Sequence, residues 1–179
     1  MWRRVLVDPS CTFLELHFIC QLAMGWTNSH LYEFIVQGLR IGLPDEEFEI
    51  DSEPADSSSI TLSDVMRKAP LLKSLTYWYD FGDDWFHELT IEKTLPADPK
   101  LTNPSCIGGK RACPPEDCGG VPGYEELLET LANPKHPDRE ELMESIGEDF
   151  DPEAFDMGFA NYRLASLHAE IEEWKKSQL

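Results

Sequence analysis

The sequence predicts an α+β fold on three observations. A first helix is apolar around most of its circumference, a β-hairpin carries large apolar groups on both faces, and helical segments gather in the last third of the chain. A helix without a polar face must be enclosed by other elements. A hairpin that is apolar on both sides must lie between packed layers.

Residues 3–7 form a short β-type run closed by the turn Asp8-Pro9-Ser10. Thr12 and Glu15 have capping-box spacing, each side chain satisfying a free backbone amide, and Gly25 can close the helix in a left-handed conformation. Within this helix Leu14, Phe18, Gln21 and Leu22 compete with Leu16, Cys20 and Ala23 for the buried face. Residues 29–36 alternate as a strand, and 37–41 continue it beyond a bend at Gly38. Residues 42–59, with Pro44, Pro54, seven carboxylates and serines at 57 to 59, predict a mobile acidic loop. A short helix over 62–68, capped by Thr61 or Ser63, ends at Pro70.

Residues 74–79 and 85–93 flank a Gly-Asp turn and predict a hairpin. An even loop of two or four residues pairs Asp80 with Trp85 and Trp78 with His87. Those four side chains then share one face, with Tyr77, Tyr79 and Phe86 on the other. Residues 95–122 hold six prolines, four glycines and three cysteines and predict no regular structure. Helices are predicted over 124–131, over 137–146, and onward from Asp151-Pro152-Glu153, where an aspartate cap precedes a proline at the first helical position. Leu164, Leu167, Ile171 and Trp174 give the last helix one apolar stripe. The whole, 1–179, is long enough for one domain with a proper core and too short for two.

The apolar stretch 13–26 is interrupted by Glu15, His17 and Gln21, and no secretory pattern opens the chain, so a soluble, cytoplasmic protein without a membrane partner is expected. Five cysteines without a secretion signal point to reduced thiols or metal ligation instead of a disulfide framework. Fifteen basic residues against 34 acidic ones leave a formal charge of -19, which argues against direct nucleic-acid binding. No nucleophile elbow, phosphate-cradling loop or dinucleotide fingerprint occurs.

Of the eleven residues 77–87, six are aromatic and three are aspartates. Carboxylates and a histidine crowded among aromatics either face water at a turn or form a polar site in an apolar wall. In the second case Asp80 and His87 supply an acid/base pair, and Asp80 and Asp83, joined by Glu116 and Asp117 after the rigid Pro114-Pro115, supply oxygen ligands for a divalent metal ion. In the first case Gly82 and Asp83 make the turn and Asp80 accepts backbone amides at the strand end. Cys106, Cys113 and Cys118 offer a thiolate zinc alternative with His87 or His136, against a default of buried inert thiols. His17 and His30 fit core or edge positions better than ligation.

Trp2-Arg3-Arg4, Gly25-Trp26, Ser29-His30-Leu31, Tyr79-Asp80-Phe81-Gly82-Asp83, Ala112-Cys113-Pro114-Pro115-Glu116-Asp117 with Gly119-Gly120, and Phe150-Asp151-Pro152-Glu153 together resemble the plasmid pRiA open-reading-frame-three-like family over nearly the whole chain. Some of its members carry a transposon-passenger, resolvase-like label. The resemblance implies a curved, mostly antiparallel sheet wrapped around the N-terminal helix, with helices in the C-terminal third. It also implies a strand before Trp2, so that either this edge strand is absent or the start lies upstream of Met1, and leaves Cys106 and Cys113 as the thiol pair. The function expected is a cytosolic accessory or binding module of plasmids or mobile elements, with a protein or small-molecule partner. Its recognition surface would comprise Trp78, Asp83, Trp85, Glu116, Asp117 and His30. The alternative is a divalent-metal-dependent hydrolase, acting for instance on phosphodiesters, with Asp80, Asp83, Glu116 and Asp117 as ligands and His87 as base.

Overall fold

The computed structural model describes residues 1–44, 53–98, 101–147 and 149–177, so the stretch 45–52 of the expected acidic loop lies outside the described residues. Strand β1 (Trp2–Leu6) leads into α1 (Phe13–Met24), whose Thr12 and Glu15 form the full capping box and whose end turns through left-handed Gly25. Both faces of α1 are buried, as its all-round apolarity requires. Cations meet its C-terminal end: Arg3 Nε donates to Ala23 O in the last turn at 3.0 Å, and Arg163 donates to Trp26 O just beyond the cap.

Strands β2 (Tyr32–Val36) and β3 (Leu39–Gly42) follow. Their connection is a full reversal, not the expected bend, because Gln37 and Gly38 both take positive φ, as a two-residue hairpin turn needs. The end of the presumed acidic loop is ordered as well, Ala55–Asp56 forming β4 parallel to β3. Helix α2 (Leu62–Lys68) carries its own capping box from Thr61 and Asp64, and the two cap residues, Thr12 and Thr61, are joined by a β-bridge. Thr12→Ala is therefore expected to lower the unfolding free energy by about 1 kcal/mol, read as a shifted urea midpoint at constant m-value. An unshifted midpoint would show that the bridge alone holds this junction.

Strands β5 (Ser74–Tyr79) and β6 (Trp85–Thr90) complete a five-stranded sheet in the order β4-β3-β2-β5-β6, antiparallel except at β3–β4. Their register corrects the expected one by a single residue: Tyr79 faces Trp85, Trp78 faces Phe86, and Tyr77 faces His87. The reason is a five-residue loop in which Asp80 and Asp84 both adopt left-handed φ. One slipped residue exchanges the faces. Trp85 and His87 join Tyr77 and Tyr79 inside, and Phe86 joins Trp78 outside.

The segment expected to lack regular structure contains β7 (Ser105–Lys110), which pairs antiparallel with β1 in a second, two-stranded sheet. Its glycines are structural, since a Cβ at Gly109 would sit 2.5 Å from the Phe155 ring. Helices α3 (Gly120–Ala132), α4 (Arg139–Ile146), α5 (Met157–Leu164) and α6 (Leu167–Ser177) fill the C-terminal third. Asp151 caps only a turn; Asp156, accepting from Phe159 N, is the true cap of α5. The apolar stripe survives the correction: Leu164, Leu167 and Ile171 are buried, and Trp174 meets Phe18 of α1 at 5.9 Å.

The fold is thus α+β, with a curved, mostly antiparallel sheet wrapped around α1. Phe34 meets Phe13 edge-on at 5.0 Å, and Tyr32 stacks on His17 at 3.6 Å. α5 and α6 cover the other side of the helix.

Candidate functional site

Three segments distant in sequence meet where β2 begins and β5 ends: the approach to β2 at His30, the loop 80–84, and the loop after Pro114-Pro115. Asp80 N donates to Leu31 O at 2.9 Å, tying the hairpin loop to the start of β2. Within the loop Asp80 Oδ1 accepts from Gly82 N and Asp83 N at 2.9 and 3.3 Å, and Asp84 N donates to Asp80 O at 2.7 Å. The turn role read from the sequence therefore occupies one carboxylate oxygen of Asp80. The second, Oδ2, points toward His30.

The loop after the twin prolines is held from both sides. Trp26 Nε1 donates to Pro114 O at 3.0 Å, and Glu116 Oε1 accepts from Thr27 N at 2.9 Å. The Tyr79 hydroxyl lies 3.2 and 3.3 Å from the two Glu116 oxygens and accepts from Ser29 N. Burial, reinforced by the Glu116 charge, pushes the Tyr79 phenol well above its ordinary range, so it remains a donor. Asp83 Oδ2 accepts from Gly119 N at 3.0 Å. Asp83 and Glu116 are consequently committed to holding the loops together.

What these ties bring into one place is His30, Asp80 and Asp117. Nε2 of His30 lies 3.1 Å from Asp117 Oδ1 and 3.6 Å from Asp80 Oδ2, and among the described residues this is the one trio of metal-capable donors within 4.8 Å of each other. Asp80 is nearly buried and Asp117 open to solvent. The sequence singles out all three but puts His30 with the recognition residues and not with the ligands. That membership follows from the Asp80–Leu31 backbone bond, which no spacing along the chain signals.

His87 stands apart from the trio. It packs edge-on against Trp26 at 5.2 Å, and Nδ1 lies 3.1 Å from Trp85 O. Burial lowers its pKa, which favours the neutral ring. Among the described residues it shares no hydrogen bond or ion pair with Asp80, so the diagonal pairing expected of these two does not form. Trp85 is buried between Trp26 and Tyr124. On the opposite, outer face Trp78 stacks on Phe86 at 5.2 Å, packs on Phe81 at 4.4 Å, and is pinned by its indole N–H to Asp84 Oδ1 at 3.0 Å. The even-loop register put Phe86 on the face of Tyr77 and Tyr79, with packed layers expected on both faces; an odd loop is the signal that would have placed it with Trp78 on one open face.

All five cysteines are free. Burial raises the Cys11 and Cys20 thiols to about 12 and Cys118 to about 11, and pushes Cys113 up as well. Cys106 is buried, its Sγ 3.4 Å from Gly108 O. Among the described residues no third donor completes a site with Cys106 and Cys113.

The family described as plasmid pRiA4b ORF-3-like protein matches residues 1–158. An uncharacterised protein of Sinorhizobium fredii is 40% identical over 169 residues, 94% of this chain and 85% of its own length. A crystal structure of a protein of unknown function from Methanosarcina mazei Go1 shares the fold with a TM-score of 0.77 at 39% identity, covering 88% of this chain and 87% of its own. No helix among the described residues is long and apolar enough to cross a membrane. The chain belongs to the plasmid pRiA4b ORF-3-like family.

Proposed function

We propose, with membership of this family as the premise, that the chain is a cytosolic accessory module that binds a protein partner through the outer face of its β5–β6 hairpin. The observation that carries this reading is the stack of Trp78, Phe81 and Phe86, in which Phe86 is 58% and Phe81 40% exposed. Contiguous aromatics left to water mark interaction surfaces. The Trp78–Asp84 bond fixes the central ring in advance, so little side-chain entropy is lost on docking.

The chemistry of the surroundings selects the partner. Glu88 follows Phe86 two residues on and is exposed on the same face, whereas Glu33 beside Trp78 is buried and already paired with Arg40. With a chain charge of -19, the surface suits a segment that carries lysine or arginine next to apolar side chains, its cations resting over the indole. Nucleobases also stack on exposed aromatics, but their phosphates meet a repulsive field.

A photo-reactive phenylalanine analogue at position 86 in cells is expected to give one dominant adduct that disappears when Trp78→Ala is added. The same analogue at exposed Leu71 should give none. No adduct at 86, or the same adducts at both positions, would sink the reading.

A second reading, the metal-dependent hydrolase, is favoured by the meeting of Asp80 and Asp117 with His30. In it Asp83 and Glu116 hold the loops and do not ligate, and His87 is removed from the reacting position.

A further inference from the structure

We propose that His30 Nε2, Asp80 Oδ2 and Asp117 Oδ1 bind one divalent transition-metal ion. This deepens the second reading above by naming its ligands, but the binding stands or falls without any catalysis. The donor set carries two negative charges and an imidazole, which suits Zn²⁺ or Mn²⁺ better than Mg²⁺ or Ca²⁺.

The geometry points to a shared ion and not to a hydrogen-bonded trio. His30 Nε2 is a buried atom with no hydrogen-bond partner, although a carboxylate oxygen stands only 3.1 Å away. An imidazole N–H aimed at Asp117 would register as a hydrogen bond at that distance. Nε2 stands close to both carboxylate oxygens without a hydrogen bond to either, which leaves its lone pair available to an ion held among the three. Ligands about 2.0–2.2 Å from one ion stand about 3 to 3.5 Å apart, close to the 3.1 and 3.6 Å found.

The supports are in place as well. Asp80 is 8% exposed, and its Oδ1 is fixed by two loop amides, which leaves Oδ2 aimed at the trio. Leu31, next to His30, accepts from Asp80 N, so two ligands are registered by backbone. Pro114-Pro115 and the Glu116 bonds to Thr27 and Tyr79 position the third. Asp117, 73% exposed, leaves the remaining coordination positions open to water or a ligand.

The test uses the full chain purified without a polyhistidine tag, titrated calorimetrically with Zn²⁺ and Mn²⁺ and with Mg²⁺ for comparison. The expected result is one Zn²⁺ or Mn²⁺ per chain and a melting temperature raised by several degrees. Asp117→Asn and His30→Gln should each weaken binding at least about tenfold. Asp117 is open to solvent, so its variant folds whatever happens to His30→Gln. Asp138→Asn, an exposed carboxylate beside His136, should leave the affinity unchanged. X-ray absorption should show only nitrogen and oxygen around zinc. The proposal is overturned by the absence of stoichiometric binding, by affinity that survives Asp117→Asn, or by sulfur in the shell, which would move the ion to Cys106 and Cys113. Metal bound as expected without hydrolysis of phosphodiesters removes only the enzyme reading.

Discussion

Gly120→Ala is expected to destabilise the protein by about 2–4 kcal/mol and to separate the loop after the twin prolines from the hairpin. Gly120 opens α3 at φ +66, and a Cβ there would lie 2.2 Å from Asp83 O. The obstacle is backbone, so neither side can yield by a rotamer change. The same contact region includes the Asp83–Gly119 bond, so relief of the clash must move the Asp117 loop away from His30. Gly38→Ala supplies the control: its φ is +88 in the β2–β3 turn, but nothing stands within 4 Å of the added carbon. That variant should show the left-handed strain alone, about 1 kcal/mol. Urea unfolding of both compares them directly, and equal losses would show that the approach of α3 to the hairpin is not tight.

Acid is expected to remove about 3 kcal/mol of stability between pH 7 and pH 4 through His17 alone. Desolvation lowers its pKa from 6.5 to about 3, the bond to Asn28 opposing this weakly. The unfolded chain takes up a proton below 6.5 that the folded chain refuses until about 3. The contribution is therefore complete above pH 6.5 and drains away as the pH falls toward 3. His87, lowered by burial in the same direction, adds to the loss.

The hydrogen bonds explain the refusal. Asn28 Oδ1, 2.7 Å from His17 Nε2, can only accept, so Nε2 carries the proton of the neutral ring. Nδ1 then accepts from the Tyr77 hydroxyl at 2.7 Å, whose oxygen accepts from Gln21 Nε2 at 2.9 Å. Gln21 Oε1 closes the circuit by accepting from Asn28 N at 3.0 Å. A second ring proton would confront the donor of Tyr77 among buried side chains. Imidazole NMR should find His17 neutral at pH 5; a titration near 6.5 would refute the network.

Much of this architecture was legible where the signal is local. Thr12, Glu15 and Gly25 delimit α1, and Thr61 and Pro70 delimit α2, because caps act within one helical turn. The register of the hairpin was not legible, since nothing in Asp80-Phe81-Gly82-Asp83-Asp84 announces that its first and last aspartates both turn left-handed. Strand β7 was hidden because its glycines answer to the Phe155 and Trp2 rings, which are distant in sequence. Asp151 and Asp156 are equally good caps by composition, and tertiary packing chose the second. Asp80 and Asp117 stood out as carboxylates on rigid loops. His30 looked like an edge residue until the fold set it between them.

The protonated, enclosed thiols have a practical meaning. A thiol that ionises near pH 12 scarcely reacts with iodoacetamide at neutral pH, so half-buried Cys20 within α1 and buried Cys11, two residues before it, should be modified chiefly in molecules that have opened. Mass spectrometry of alkylated protein would then time the rare excursions of α1 out of its enclosure, one helix reporting on its own release.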